Sequence, residues 1–71
     1  MRFYVYDNKL YVIDNDTENG LVKLFNMLGQ PVLEESYSGR LNTIDLPLRH
    51  GNYIVQITTY NKFVSGKIFI K

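Results

Sequence analysis

Apolar and polar residues alternate with period two along most of this chain, and Gly, Asn or Asp breaks the alternation every six to twelve residues. Successive side chains of a strand point to opposite faces, whereas a helix repeats near 3.6 residues, so this rhythm dictates short antiparallel strands. Helical periodicity is nowhere sustained. With 71 residues the chain can bury one small core and no more. Two faced sheets are the economical way for short strands to hide one apolar side each, so an immunoglobulin-like antiparallel β-sandwich of about seven strands is expected over residues 1–71 as a single domain.

The strands can be placed by their turns. Residues 3–6 run into Asp7-Asn8, a pair that tolerates the positive φ angles of a tight hairpin, and return through residues 10–13. A polar loop over 14–20 closes at Asn19-Gly20 and leads into a third strand over 21–27. Gly29 marks the next turn, with Pro31 at the start of a fourth strand that continues through 32–37. After Ser38-Gly39, Leu41, Ile44 and Leu46 belong to a fifth strand, and residues 47–51 form a connection that crosses between sheets. Residues 52–60 are the clearest strand, with Tyr53, Val55, Ile57 and Thr59 on the face expected to be buried. Residues 60–62 turn the chain into a last strand over 63–70, in which Gly66 reads as a bulge that resets the pattern for Ile68 and Ile70.

Composition narrows the chemistry. Hydrophobic residues at 45% and charged residues at 21% describe a chain that folds. Six tyrosines and four phenylalanines, with Val and Ile, must build the core unaided, because the absence of cysteine removes disulfides, a thiol nucleophile and thiolate metal sites. A net charge of +1 supplies no field for nucleic acid or an anionic membrane surface. Apolar runs of four or five residues fall far short of the roughly 20 needed to span a bilayer, and no signal-peptide core follows Met1. If the domain is exported, its export signal is expected on a parent protein upstream, with Met1 an expression start.

No catalytic set assembles. Asp14, Asp16 and Glu18 alternate in the manner of oxygen ligands, but a helix-loop-helix calcium loop needs Gly at its sixth position and a carboxylate at its twelfth, where this chain has Asn19 and Phe25. A solvated turn is the expectation. His50 is the single histidine and lies in the crossing connection, an exposed loop position without a second zinc ligand. Glu34 and Glu35 are consecutive strand residues that point to opposite faces, so they cannot converge on one substrate atom. Ser36, Ser38 and Ser65 lack His and Asp partners. Tyr4, Tyr6 and Tyr11 are expected to pack as cross-strand aromatics, since no basic groove accompanies them as a stacking platform would require. Neither a cofactor nor a metal is called for.

Three blocks in order are more specific. Residues 22–33 form a strand that ends in Asn26-x-x-Gly29 and resumes with Val32. Ile44-Asp45-Leu46 leads through Pro47 and Gly51 into Tyr53-Ile54-Val55. The chain finishes Lys67-Ile68-Phe69-Ile70-Lys71. Together they resemble the C-terminal sorting domains of the type IX secretion system, the Por secretion family. The blocks span residues 22–71, and residues 3–13 are similar only loosely to the opening hairpin of such domains. Leu48-Arg49-His50 lengthens the connection before Gly51, and Phe69 stands where an aliphatic residue or lysine is more usual.

The resemblance implies a non-enzymatic tag at the end of a larger protein in a Bacteroidota-like bacterium. The parent crosses the inner membrane by a general signal peptide, and the domain then directs it through the outer-membrane translocon. Its implied partners are that translocon, a shuttle protein, a sortase-like cysteine peptidase that removes the tag and anchors the cargo at the cell surface, and the upstream cargo itself. A sorting domain is expected to close its parent at Lys71. Lys67, Ile68, Phe69, Ile70 and Lys71 are the residues expected to meet the secretion machinery, with core and contact roles alternating by face. Asn26, Gly29, Leu46, Pro47, Gly51 and Tyr53 are expected to act mainly through the fold, Tyr53 with its ring beneath the crossing connection and its hydroxyl on a backbone partner. Free strand edges offer a route to weak pairing of two copies. From another class, the competing reading is an immunoglobulin-like adhesion or carbohydrate-binding module, which would display aromatics around a concave face.

Overall fold

A computed structural model describes residues 1–15 and 19–71 of the chain. The strands are β1 (Arg2–Tyr6), β2 (Lys9–Ile13), β3 (Gly20–Phe25), β4 (Pro31–Tyr37), β5 (Leu41–Asp45), β6 (Gly51–Thr59) and β7 (Phe63–Ile70). They form a three-stranded sheet of order β1-β2-β5 and a four-stranded sheet of order β4-β3-β6-β7, every pairing antiparallel. This is the expected two-sheet sandwich with Greek-key crossings. The β1–β2 turn has φ of 52° at Asp7 and 60° at Asn8, the left-handed pair that a two-residue hairpin of primed type requires.

The core lies where the inner faces meet. Leu10, Val12 and Ile44 come from the first sheet, and Val22, Leu24, Tyr53, Val55, Ile57, Ile68 and Ile70 from the second. On β6 the inner set is Tyr53, Val55, Ile57 and Thr59, as the alternation requires.

Three expectations change. Gly66 is no bulge: β6 and β7 pair without a register shift from Gly51↔Ile70 to Thr58↔Phe63. Its role is space, because a Cβ there would lie 2.7 Å from Cζ of Phe3, whose ring closes the seam between β1 and β7. The register shift in the fold falls instead between Leu24 and Phe25, opposite β4. The third strand stops at Phe25, two residues before the expected end, since Asn26 already belongs to the turn.

Asp14 is the largest departure. Far from sitting in a solvated turn, its carboxylate is fully buried. Tyr37 Oη donates to it at 3.1 Å and Lys62 Nζ lies 3.6 Å away, while the Asp14 amide donates to the Arg40 carbonyl at 2.8 Å. The group joins the end of β2 to the end of β4 and to the β6–β7 turn, and so ties the two sheets together. The signal was present in the sequence, since Asp14 continues the inward series Leu10, Val12. Asp16 and Glu18, the other members of that candidate ligand set, lie outside the described residues.

Candidate functional site

Because the strands alternate in direction, their connections fall into two groups. The β1–β2 and β3–β4 turns, the crossing from β5 to β6 and the end of β7 gather at one end of the sandwich. Met1, the end of β2, the start of β3 and the β4–β5 and β6–β7 connections lie at the other. All three sequence blocks therefore converge on the same end, although they are spread over fifty residues of chain.

The first block is a hairpin turn organised by Asn26. Its side-chain Oδ1 accepts from the amides of Leu28 and Gln30 at 2.9 and 3.0 Å, its carbonyl accepts from Gly29 at 3.0 Å, and its Nδ2 donates to Gln30 Oε1 at 2.9 Å. A short amide side chain can mimic a backbone turn in this way, and Gly29, at φ 88°, takes the left-handed position that ends it. The turn holds Met27 and Leu28 in solvent, Leu28 at 87% exposure, so the apolar tip is presented by a fixed frame and not by a loose loop.

The second block forms the crossing. Leu46 is buried at 3% exposure, and its amide donates to the Asn8 carbonyl at 3.0 Å, which ties the crossing to the first hairpin. Pro47 is exposed. Tyr53 Oη donates to the Arg49 carbonyl at 2.7 Å with its ring at the core boundary, which is the corner arrangement of immunoglobulin-like sandwiches and satisfies both the buried hydroxyl and a crossing carbonyl. Gly51, at φ 146°, starts β6 in a region that side-chain-bearing residues avoid. His50 is exposed beside it.

The third block divides by face. Ile68 and Ile70 point into the core, while Lys67, Phe69 and Lys71 point outward, Phe69 at 55% exposure. The outward residues join residues of the other two blocks across the sheet: Phe25 of β3 stands opposite Ile54 of β6, which stands opposite Lys67 of β7, and Asn52 stands opposite Phe69. A shallow depression of about 370 Å³ beside this row is lined by Phe25, Met27 and Ile54. Lys67 and Lys71 make no ion pair among the described residues, unlike Lys9 with Asp45 at 3.5 Å and Lys23 with Glu34 at 3.9 Å. The surface combines exposed apolar side chains with two available cations, a set suited to binding a partner.

Elsewhere the candidates for chemistry stay apart. Glu34 faces outward to Lys23, and Glu35 points to the other face of an edge strand. Tyr4 and Tyr11 stack on each other, ring centroids 4.9 Å apart and planes at 11°, as cross-strand aromatics do. Sequence reasoning missed that Tyr6 and Asn8 share an end with the last strand, because nothing local connects residues so far apart in the chain.

Compared with known families, residues 6–71 match the family described as the secretion system C-terminal sorting domain. No curated protein matches the chain.

Proposed function

Since the chain belongs to the family of type IX secretion-system C-terminal sorting domains, we propose that it is the address of a larger exported protein and that the address is read at the end of the sandwich where the three blocks meet. The observation that carries this reading is the row Phe25–Ile54–Lys67, one outward residue from each block, placed side by side by strand pairing. Blocks that served folding alone would need only their inward residues, whereas this outer row leaves Phe25 and Ile54 half-buried beside the exposed Lys67.

The geometry also suits a tag. A cargo domain preceding Met1 enters at the far end of the sandwich, so the reading end stays clear of it. The domain contributes binding and no bond-making step: the translocon and its shuttle take up the folded tag, the cargo passes the outer membrane, and a sortase-like cysteine peptidase cuts before the domain and joins the cargo to the cell surface. Lys67, Phe69 and Lys71 make the contacts, while Ile68 and Ile70 hold the strand that carries them. The whole of residues 1–71 acts as one such domain.

The test is a reporter placed behind a signal peptide and ahead of this chain in a type IX-competent bacterium and in the same strain without its translocon. Delivery to the surface or medium in the first and retention in the periplasm in the second is the expected result. A full-length, folded reporter held in the periplasm of both strains contradicts the reading.

A further inference from the structure

The seam between β1 and β7 is closed midway by the Phe3 ring over Gly66. Toward the reading end it opens into a cleft of about 500 Å³ lined by Val5, Tyr6, Asp7, Asn8, Phe69 and Lys71. Two of these residues belong to the third sequence block, and four belong to the opening hairpin, which lies outside all three blocks. Three features of the cleft describe its occupant. Each wall is an edge strand, β1 paired only with β2 and β7 only with β6, so each offers an unpaired row of backbone donors and acceptors. The β7 edge is eight residues long and free of bulges, which leaves it straight enough to template another strand. Tyr6 and Phe69 are 71% and 55% exposed, and the ammonium groups of Lys71 and of Lys67 behind it make no ion pair among the described residues.

We propose that this cleft receives an extended segment of the secretion machinery, which adds as a strand to the free edge of β7, seats an apolar side chain between Tyr6 and Phe69 and presents an acidic group to Lys71. The inference rests on the sorting reading and deepens it: the address is a composite of the first hairpin and the last strand, and the terminal block alone does not constitute it. Main-chain pairing supplies affinity and the aromatic walls supply selectivity. The frame is fixed before binding, since Leu46 ties the crossing to the Asn8 carbonyl and Ile70 anchors the end of β7 in the core.

The test uses the reporter fusion with Tyr6→Thr, which keeps a strand-forming residue, with Phe69→Ser, and with Tyr60→Ser as control, Tyr60 being 95% exposed at the opposite end. Thermal unfolding of each chain and its sedimentation are measured alongside. The proposal expects Tyr6→Thr and Phe69→Ser each to lower exported reporter about tenfold, as loss of an interface anchor does, with unfolding midpoints held and Tyr60→Ser exported normally. Export that falls with Phe69→Ser and not with Tyr6→Thr overturns the composite cleft and leaves the sorting reading standing. A wild-type dimer that Tyr6→Thr converts to monomer without loss of export makes a second copy the occupant and also overturns it. Failure of the unmutated chain to export the reporter removes the sorting reading itself.

Discussion

Tyr53 and Ile68 face each other across β6 and β7 on the buried side of the sheet, and the pair one step along, Ile54 and Lys67, faces solvent. Each sequence block thus interleaves residues that hold the fold with residues that are free to be read. Substitutions on the two faces should therefore have different consequences.

Inward and outward positions of the last strand are expected to separate cleanly. Ile70→Ala removes a fully buried side chain and should cost about 2–5 kcal/mol. Phe69→Ser, next to it and mostly in solvent, should change stability by less than about 1 kcal/mol. Urea unfolding of the two variants checks this. Similar losses in both would mean that β7 is not divided by face.

At the crossing, Tyr53→Phe keeps the ring and deletes only the hydrogen bond to the Arg49 carbonyl. A loss of about 1 kcal/mol is expected, which for a domain of this size lowers the thermal midpoint by about 4–8 °C. An unchanged midpoint would show that the corner hydroxyl contributes nothing to the fold.

The β3–β4 turn yields a comparison of two mechanisms. Asn26→Ala leaves the Leu28 and Gln30 amides without their side-chain acceptor, and Gly29→Ala forces a side-chain-bearing residue to φ 88° in open space. Each should cost about 1–2 kcal/mol, the first through lost hydrogen bonds and the second through backbone strain. Gly29→Asn should recover part of the second loss, because Asn tolerates the left-handed region. Denaturant midpoints of the three variants decide the matter.

Asp14 and Tyr37 should be coupled. Tyr37→Phe is expected to cost about 1 kcal/mol, and Asp14→Ala about 3 kcal/mol, since it removes the fully buried carboxylate that Tyr37 and Lys62 both approach. In a double-mutant cycle the two losses should fall short of additivity by at least about 0.5 kcal/mol. Simple additivity would mean that the 3.1 Å contact carries no energy of its own.

What could be read from the sequence was whatever is encoded locally. The Asp7-Asn8 hairpin, the inner face of β6 and the Asn26-x-x-Gly29 turn each depend on residues within a few positions of one another. So does the hydroxyl of Tyr53, whose partner is four residues upstream. What escaped depends on the docking of one sheet against the other. Gly66 looks like a bulge until Phe3 arrives from the opposite sheet to fill its space. Asp14 looks solvated until Tyr37 and Lys62 close over it. The reading end was legible as motifs and not as a surface, because only strand pairing shows that Phe25, Ile54 and Lys67 are neighbours.

The same division changes how the central claim must be tested. Deleting the last five residues would remove Ile68 and Ile70 from the core together with the outward side chains, and so would confound export with folding. The direct measurement is export of the reporter by a variant carrying Lys67→Glu, Phe69→Ser and Lys71→Glu, which leaves both core residues in place. The account predicts a folded, full-length reporter retained in the periplasm. Delivery equal to that of the unmutated chain would contradict it and show that the address is read elsewhere.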